Sequence, residues 1–151
     1  IQQPIRYGAD LVVHSGTKWM DGQGRVLGGV VVGRPGLIDQ VQGFCRHTGP
    51  AMSPFNAWML SKSLETLAVR MDRHCSNAAA VAEHLKNHPK VEWVRYPGLA
   101  SHPQHDLAER QMDGPGSLIS FEVAGGIEAG KCRQVDFRIA ALISKGEGGL
   151  K

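Results

Sequence analysis

The residues best suited to chemistry are one lysine and two hydroxyl side chains in the segment HSGTKW. Ser15 and Thr17 precede Lys18 in this segment. Short hydroxyl side chains, with the backbone N–H groups of a tight turn, can approach a phosphate closely and donate several hydrogen bonds to it. A lysine amine can condense with a carbonyl group when its neutral form is accessible, which burial or nearby positive charge promotes. The pattern predicts a site for a phosphate-bearing carbonyl compound. A motif this short is more often structural, with the stem of the lysine packed against the protein and its ammonium group in water.

Two apolar runs flank this segment and predict the strands that position it. Residues 9–14 and 26–32 are rich in β-branched residues, and the glycines of the sequence DGQG between them indicate a tight turn. Short continuous apolar runs of this kind are typical of buried strands. We therefore expect two buried strands, with Lys18 close to the end of the first.

The next two segments carry apolar residues at helical spacing. Residues 34–47 carry a Pro-Gly pair at positions 35 and 36 and predict a helix. Ser53 is a candidate N-cap that is followed by a proline at the first helical position. Because a proline disfavours helical geometry in the residue before it, Pro89 should end this second helix. The sequence predicts one long helix over residues 53–87.

The second half of the chain continues to alternate strands and helices. The predicted elements are strands over residues 91–96 and 117–125, a short helix over 106–112, a helix over 127–137 and a final strand over 138–144. This order predicts an α/β organisation in the first third of the chain and an α+β organisation afterwards.

The composition excludes several classes of partner. The net charge of +3 arises from 17 Lys and Arg against 14 Asp and Glu, which are spread along all 151 residues. The sequence has no block of basic residues that would indicate a surface for nucleic acid or for a membrane. It also has no apolar run that approaches the roughly 20 residues needed to span a bilayer. We therefore expect neither nucleic acid nor a membrane as a partner.

The cysteines and the chain ends bear on compartment and completeness. Cys45, Cys75 and Cys132 are odd in number and far apart, which fits buried thiols in a reducing cytoplasm and argues against a disulfide framework. The chain begins without a methionine, a basic region or the apolar segment of a signal peptide. We expect a cytoplasmic protein, of which this sequence is a piece.

Four segments in a fixed order resemble one enzyme family. GADLVVHSGTKWMDGQGRVLGGVVVG resembles the cofactor-lysine segment of the Cys/Met-metabolism family of pyridoxal 5′-phosphate (PLP) enzymes, the transsulfuration enzymes. The segments TGPAMSPFNAWMLSKSLETLAVRMDRHC, YPGLASHPQHDLAERQM and GSLISFEVAGG resemble those that follow the lysine in that family. Within the family, DGQGR looks most like the O-succinylhomoserine sulfhydrylases, since cystathionine synthases and lyases more often carry a GHxD turn there.

The resemblance implies a fold and a division into domains. It implies part of the PLP-dependent aminotransferase-like fold, fold type I, which is α/β. Residues 1–52 would form the C-terminal part of the PLP-binding domain, residues 53–88 a long linking helix, and residues 89–151 part of the C-terminal domain. The intact enzyme would be a homotetramer built from dimers.

The resemblance also implies roles for the residues of the first segment. Lys18 matches the lysine that forms the Schiff base with PLP and moves protons at the α and β carbons of the substrate. Ser15 and Thr17 match hydroxyl residues that hold the cofactor phosphate. The implied reaction replaces the succinate of O-succinylhomoserine by sulfide and gives homocysteine, a step of methionine biosynthesis.

Two alternatives to this reading stay open. A cystathionine γ-synthase or γ-lyase of the same family would differ only in the nucleophile that meets the reacting intermediate. A truncated, inactive remnant would keep the resemblance without the activity. Since the family pattern has further site residues before the lysine, we expect the 151 residues alone neither to bind PLP tightly nor to turn over.

Three other polar residues are weaker candidates. Arg25 carries its charge toward the site, or it caps a turn or meets a surface carboxylate. His84 and His88 lie one helical turn apart, a spacing that suits a metal ion, but no third ligand lies near them in the sequence. We therefore expect no metal site.

Overall fold

The structure, a computed structural model, describes residues 1–126 as two compact units. One unit is Gln3–Arg70, and the other combines Ile1–Gln2 with the described residues from Met71 onward. No helix in the described part of the chain is long and apolar enough to cross a membrane. The helix predicted over residues 127–137 and the strand predicted over 138–144 lie outside the described residues.

The first unit contains a two-stranded antiparallel sheet. Strand β1, Leu11–Ser15, pairs with strand β2, Gly29–Gly33, so that Leu11 lies opposite Gly33 and Ser15 opposite Gly29. A side chain at Gly33 would collide with the backbone oxygen of Asp10, which explains a glycine at this end of the ladder. Both predicted strands are confirmed, the second beginning three positions later than expected.

The expectation that both strands are buried is wrong for the described residues. Val13 is 74% exposed, and Val31 and Val32 are 37% and 43% exposed. A two-stranded sheet has two faces and two open edges, and helices of the same unit do not cover all of them. A continuous apolar run reports a preference for burial, whereas actual burial depends on which layers pack against the strand.

The helix after the hairpin forms as predicted. Helix α1, Pro35–Thr48, begins with a proline at its first turn. It ends at Gly49, which has a φ of 90° and donates its N–H to the carbonyl of Cys45. Glycine adopts this left-handed conformation without the penalty that a Cβ imposes, so it ends the helix cleanly.

The single long helix that the sequence predicts is two helices in the structure. Helix α2 is Pro54–Leu64 and helix α3 is Leu67–Lys86. Three groups, the backbone N–H and hydroxyl of Thr66 and the guanidinium of Arg70, donate to the carbonyl of Ser63 at the junction. Because this carbonyl is occupied by other donors, the regular helical hydrogen-bond ladder is interrupted. The compact units divide within α3, and the predicted domains 1–52, 53–88 and 89–151 stay a prediction.

The second unit packs its part of α3 against a second antiparallel pair. Strand β3, Val91–Arg95, pairs with strand β4, Ser120–Val123, and helix α4 is His105–Gln111. All three elements occur where the sequence predicts them. The core of this unit consists of Ala78, Ala82, Tyr96 and Leu99, with Val94 and Ile119 packed against it. The hydroxyl of Tyr96 donates to the carbonyl of Gly116 at 2.9 Å, so this buried polar group is satisfied.

Candidate active site

Lys18 lies on a single wide helical turn directly after β1. This lysine turn, Gly16–Met20, is closed by a hydrogen bond of 3.0 Å from the N–H of Asp21 to the carbonyl of Gly16, five residues apart. Such π-type turns are rare and occur frequently at functional sites. Lys18 itself departs from helical geometry, with φ −91° and ψ −118°, and its side chain is exposed. The backbone therefore presents this lysine at the surface of the described unit.

The start of the lysine turn is fastened to the chain just before β2. The N–H of Gly16 donates to the carbonyl of Gly28 at 2.8 Å, and the N–H of Gly28 donates to the hydroxyl oxygen of Thr17 at 3.3 Å. Gly16 is buried, and a Cβ there would lie 3.0 Å from the oxygen of Gly28 and 3.2 Å from Leu60 Cδ2. Only glycine lets the two backbones approach this closely without displacing one of them.

Thr17, Ser15 and Lys18 keep their donor capacity in this arrangement. The hydroxyl of Thr17 accepts from Gly28, so its own proton remains available for an anion. The side chains of Ser15 and Lys18 make no hydrogen bond or ion pair with any other residue in the range 1–126. Ser15 ends β1, and Thr17 and Lys18 follow on the turn, so β1 and the lysine turn bring all three predicted residues to one place in the chain.

A buried carboxylate follows the lysine turn. Asp21 is 1% exposed, and its two oxygens accept hydrogen bonds from the N–H groups of Gln23 and Arg25, the guanidinium of Arg25 and the hydroxyl of Ser63. Burial raises the pKa of Asp21, but these hydrogen bonds outweigh burial and lower the pKa from 3.8 to about 2. The carboxylate is therefore ionised at neutral pH and closes the turn that leads to β2.

This arrangement decides between the two interpretations of Arg25. Its guanidinium lies 2.9 Å from Asp21 Oδ1 and 2.8 Å from the hydroxyl oxygen of Ser63. Arg25 therefore pairs with a carboxylate of its own turn, but this carboxylate is buried, since Asp21 is 1% exposed, and does not lie at the surface as the second interpretation had it.

A second guanidinium donates hydrogen bonds to the end of the lysine turn. Arg70, from α3, donates to the backbone carbonyls of Trp19 at 2.7 Å and Met20 at 3.0 Å. It also donates to the carbonyl of Ser63 at 2.9 Å and to the hydroxyl of Thr66 at 3.1 Å. One side chain therefore links the lysine turn to the junction between α2 and α3.

Sequence reasoning missed Asp21, Ser63 and Arg70. The spacing of Asp21 and Arg25, four residues apart in the glycine-rich turn, is a signal that could have indicated their pairing. No local pattern indicates the other two, because Ser63 is 42 residues from Asp21 and Arg70 is 51 residues from Trp19.

The remaining polar candidates belong to the other compact unit or have structural partners. The rings of His84 and His88 lie 5.8 Å apart, and no group of metal-ligating side chains occurs in the described part of the chain. Ser53 is the N-cap of α2, since its hydroxyl accepts from the N–H of Asn56 at 3.2 Å. This cap is confirmed.

Comparison with known proteins gives consistent matches. Residues 1–147 match the family described as Cys/Met metabolism PLP-dependent enzyme. The O-succinylhomoserine sulfhydrylase of Pseudomonas aeruginosa is 54% identical over 129 residues, which are 85% of this chain and 32% of that protein. The L-methionine gamma-lyase of Pseudomonas deceptionensis is 50% identical over 133 residues, which are 87% of this chain and 33% of that protein.

Solved structures of similar proteins share the fold. The cystathionine gamma synthase from Xanthomonas oryzae pv. oryzae, solved in complex with aminoacrylate and cysteine, superposes with a TM-score of 0.83 at 44% identity. The match covers 86% of this chain and 34% of that one. The prediction of a partial α/β fold of type I is confirmed.

Fold and matches together define the class, a PLP-dependent enzyme. The chain belongs to the Cys/Met metabolism family of PLP-dependent enzymes. It spans about a third of the length of the relatives that it matches.

The residues at the end of β1 and on the lysine turn fit this cofactor. An exposed primary amine suits the aldehyde of PLP, and the hydroxyls of Ser15 and Thr17 have protons to offer to its phosphate. The roles of Lys18, Ser15 and Thr17 nevertheless stay predictions, because they rest on chemistry and resemblance.

Proposed function

We propose that this protein is the lysine-bearing part of an enzyme that replaces the succinate of O-succinylhomoserine by sulfide to give homocysteine. The single observation that carries the proposal is the placement of Ser15, Thr17 and Lys18 on β1 and the lysine turn. The identity of 54% to the sulfhydrylase of Pseudomonas aeruginosa supports the choice of reaction.

Each of the three residues has a distinct task in this proposal. Ser15 and Thr17 would hold the phosphate of PLP through hydrogen bonds from their hydroxyl groups. PLP, when bound, withdraws electrons from the substrate carbons that react. The Nζ of Lys18 would hold the cofactor through its aldehyde carbon until the amine of the substrate displaces it, and the freed amine would then take a proton from the α carbon of the substrate and move protons at the β carbon.

The exposure of Lys18 bears on what the 151 residues can do alone. Proton transfer by an amine of this kind is efficient when its neutral form is accessible near the operating pH, which burial or nearby positive charge promotes. The described residues leave the side chain of Lys18 exposed. We therefore propose that the isolated chain binds PLP weakly and does not turn over, and that the whole enzyme encloses this lysine.

A γ-lyase or a cystathionine γ-synthase is the alternative, supported by the identities of 50% and 44% to such proteins. These enzymes would share the lysine turn and differ in what attacks the substrate. We further propose that the whole enzyme is a cytoplasmic homo-oligomer. The exposed apolar side chains of Phe44, Phe55 and Trp58, 67%, 65% and 56% exposed, support an interface with further protein.

A chimera tests the activity. In it, the matching part of this chain replaces the corresponding 129 residues of the Pseudomonas aeruginosa sulfhydrylase. We expect homocysteine from O-succinylhomoserine and sulfide, and abolition of this activity by Lys18→Ala but not by Lys62→Ala, which changes an exposed lysine of α2. Cystathionine from added cysteine, or release of a thiol from methionine, in place of homocysteine would favour the alternatives. Full activity in Lys18→Ala would contradict the proposal.

A further inference from the structure

We propose that Asp21 and Arg70 are positioning residues, which hold the backbone on the C-terminal side of Lys18 so that its amine meets an aldehyde in one orientation. This inference rests on the proposed function of Lys18. Neither residue is assigned a contact with substrate or cofactor. Both act through the peptide groups that follow the lysine.

Arg70 donates hydrogen bonds to the two successive backbone carbonyls that follow Lys18. Its Nη1 donates to the oxygen of Trp19 at 2.7 Å, and its Nη2 donates to the oxygen of Met20 at 3.0 Å. The same Nη2 donates to the carbonyl of Ser63 at 2.9 Å. A planar guanidinium with fixed donor directions therefore sets the orientation of both peptide groups relative to the helix junction.

Asp21 holds the segment that follows these two carbonyls. Its Oδ2 accepts from the N–H of Arg25 at 2.6 Å, and its Oδ1 accepts from the hydroxyl of Ser63 at 3.1 Å. Its side chain is fully enclosed, whereas that of Arg25 is 40% exposed. Because Ser63 contacts Asp21 through its hydroxyl and Arg70 through its carbonyl, one residue of α2 joins both anchors.

Lys18 therefore lies on a turn that is fixed on both sides. On the N-terminal side, Gly28 binds the N–H of Gly16 and the hydroxyl of Thr17, while Arg70 and Asp21 hold the C-terminal side. The backbone on both sides of Lys18 is hydrogen-bonded, but its amine makes no hydrogen bond within residues 1–126. A reacting group on a fixed backbone meets its partner far more often in productive geometry than one on a mobile loop.

Reductive trapping with PLP itself tests the inference on the full 151-residue chain. An amine and the aldehyde lose water to form an imine, and borohydride then delivers a hydride that converts it to a stable secondary amine. Mass spectrometry of peptides gives the trapping rate at Lys18 relative to Lys62, Lys86 and Lys90 of the same molecule. In a folded chain this internal ratio reports the presentation of Lys18.

The variants are Asp21→Asn and Arg70→Ala, with Asp39→Asn and Arg73→Ala as matched exposed controls. In the unmodified chain we expect preferential trapping at Lys18. Asp21→Asn and Arg70→Ala should each lower the relative rate at Lys18 by roughly ten- to a hundredfold, since misplacement by about 1 Å has effects of this size. The two controls should keep the ratio of the unmodified chain.

The outcomes separate the inference from the proposed function. No preference for Lys18 in the unmodified chain would overturn the inference that the turn presents its amine, whereas the proposed function is tested separately by the chimera. Preference in the unmodified chain that persists in folded Asp21→Asn and Arg70→Ala would overturn the positioning role alone. If circular dichroism shows that either variant is unfolded, Ser63→Ala decides, because alanine is favourable in a helix and the change removes only one contact of Asp21. An unchanged ratio in Ser63→Ala would then overturn the inference, and a several-fold decrease would support it.

Discussion

Replacement of Gly22 by alanine should destabilise the chain through Arg70. Gly22 has a φ of 76°, and a Cβ there would overlap Nη1 of Arg70 and lie 2.8 Å from its Cζ. Gly24 has a similar φ of 69°, yet a Cβ there meets nothing within 4 Å. The two substitutions therefore share the conformational penalty and differ in the collision, which makes Gly24→Ala a matched control.

The expected loss of stability has two contributions, a conformational penalty and the loss of hydrogen bonds. A left-handed conformation costs an ordinary residue about 1 to 2 kcal/mol, which is the expected loss for Gly24→Ala. In Gly22→Ala the guanidinium must also move away from the carbonyls of Trp19 and Met20. A hydrogen bond from a charged donor contributes about 1.5 to 3 kcal/mol, and water can replace part of the loss for these partly exposed groups. One such bond added to the conformational penalty gives an expected total for Gly22→Ala of roughly 2.5 to 5 kcal/mol, and replacement by water places it toward the lower end.

Urea denaturation of four chains measures the coupling between the two positions. The chains are the unmodified one, Gly22→Ala, Arg70→Ala and the double variant. In the background of Arg70→Ala the collision is absent, so Gly22→Ala should cost only what Gly24→Ala costs, about 1 to 2 kcal/mol. Equal losses for Gly22→Ala and Gly24→Ala, or an additive double variant, would refute the reasoning that Arg70 occupies the space beside Gly22.

Two further predictions concern a helix cap and a titrating group. Ser53→Ala removes the acceptor for the N–H of Asn56 and should lower the free energy of unfolding by about 1 kcal/mol. Ser61 is exposed in the same helix, so Ser61→Ala should change this free energy little. Equal effects of the two substitutions in urea denaturation would argue against the cap. Asp21 has a pKa of about 2 in the folded chain and 3.8 ordinarily, so its stabilisation is complete above pH 3.8 and disappears as the pH falls toward 2. Asp21→Asn should remove this acid-dependent part of the stability, and Asp39→Asn should not. Urea denaturation at a series of pH values measures the difference. An unchanged acid dependence in Asp21→Asn would exclude Asp21 as its source.

Local patterns predicted most elements of the described fold. Caps, turns and periodicity act over a few residues, so Ser53 at the start of α2 and the strands around Lys18 could be predicted without a structure. The break between α2 and α3 could not, because it depends on Arg70 and Thr66 occupying the carbonyl of Ser63. The apolar pattern could not predict that Val13 and Val31 are exposed, because burial depends on which helices or sheets pack against the strands.

The sequence by itself determined the chemistry of the candidate site. Lys18, Ser15 and Thr17 are neighbours in the chain, so their proximity follows from covalent connection and their functional groups from residue type. Only the tertiary structure decided what holds that site in place. Asp21 is ionised although it is buried because Ser63 and Arg25 donate to it, and the turn is fastened by Arg70 from 51 residues away. Such contacts depend on the packing of helices against a turn, and no local preference of the amino acids specifies them.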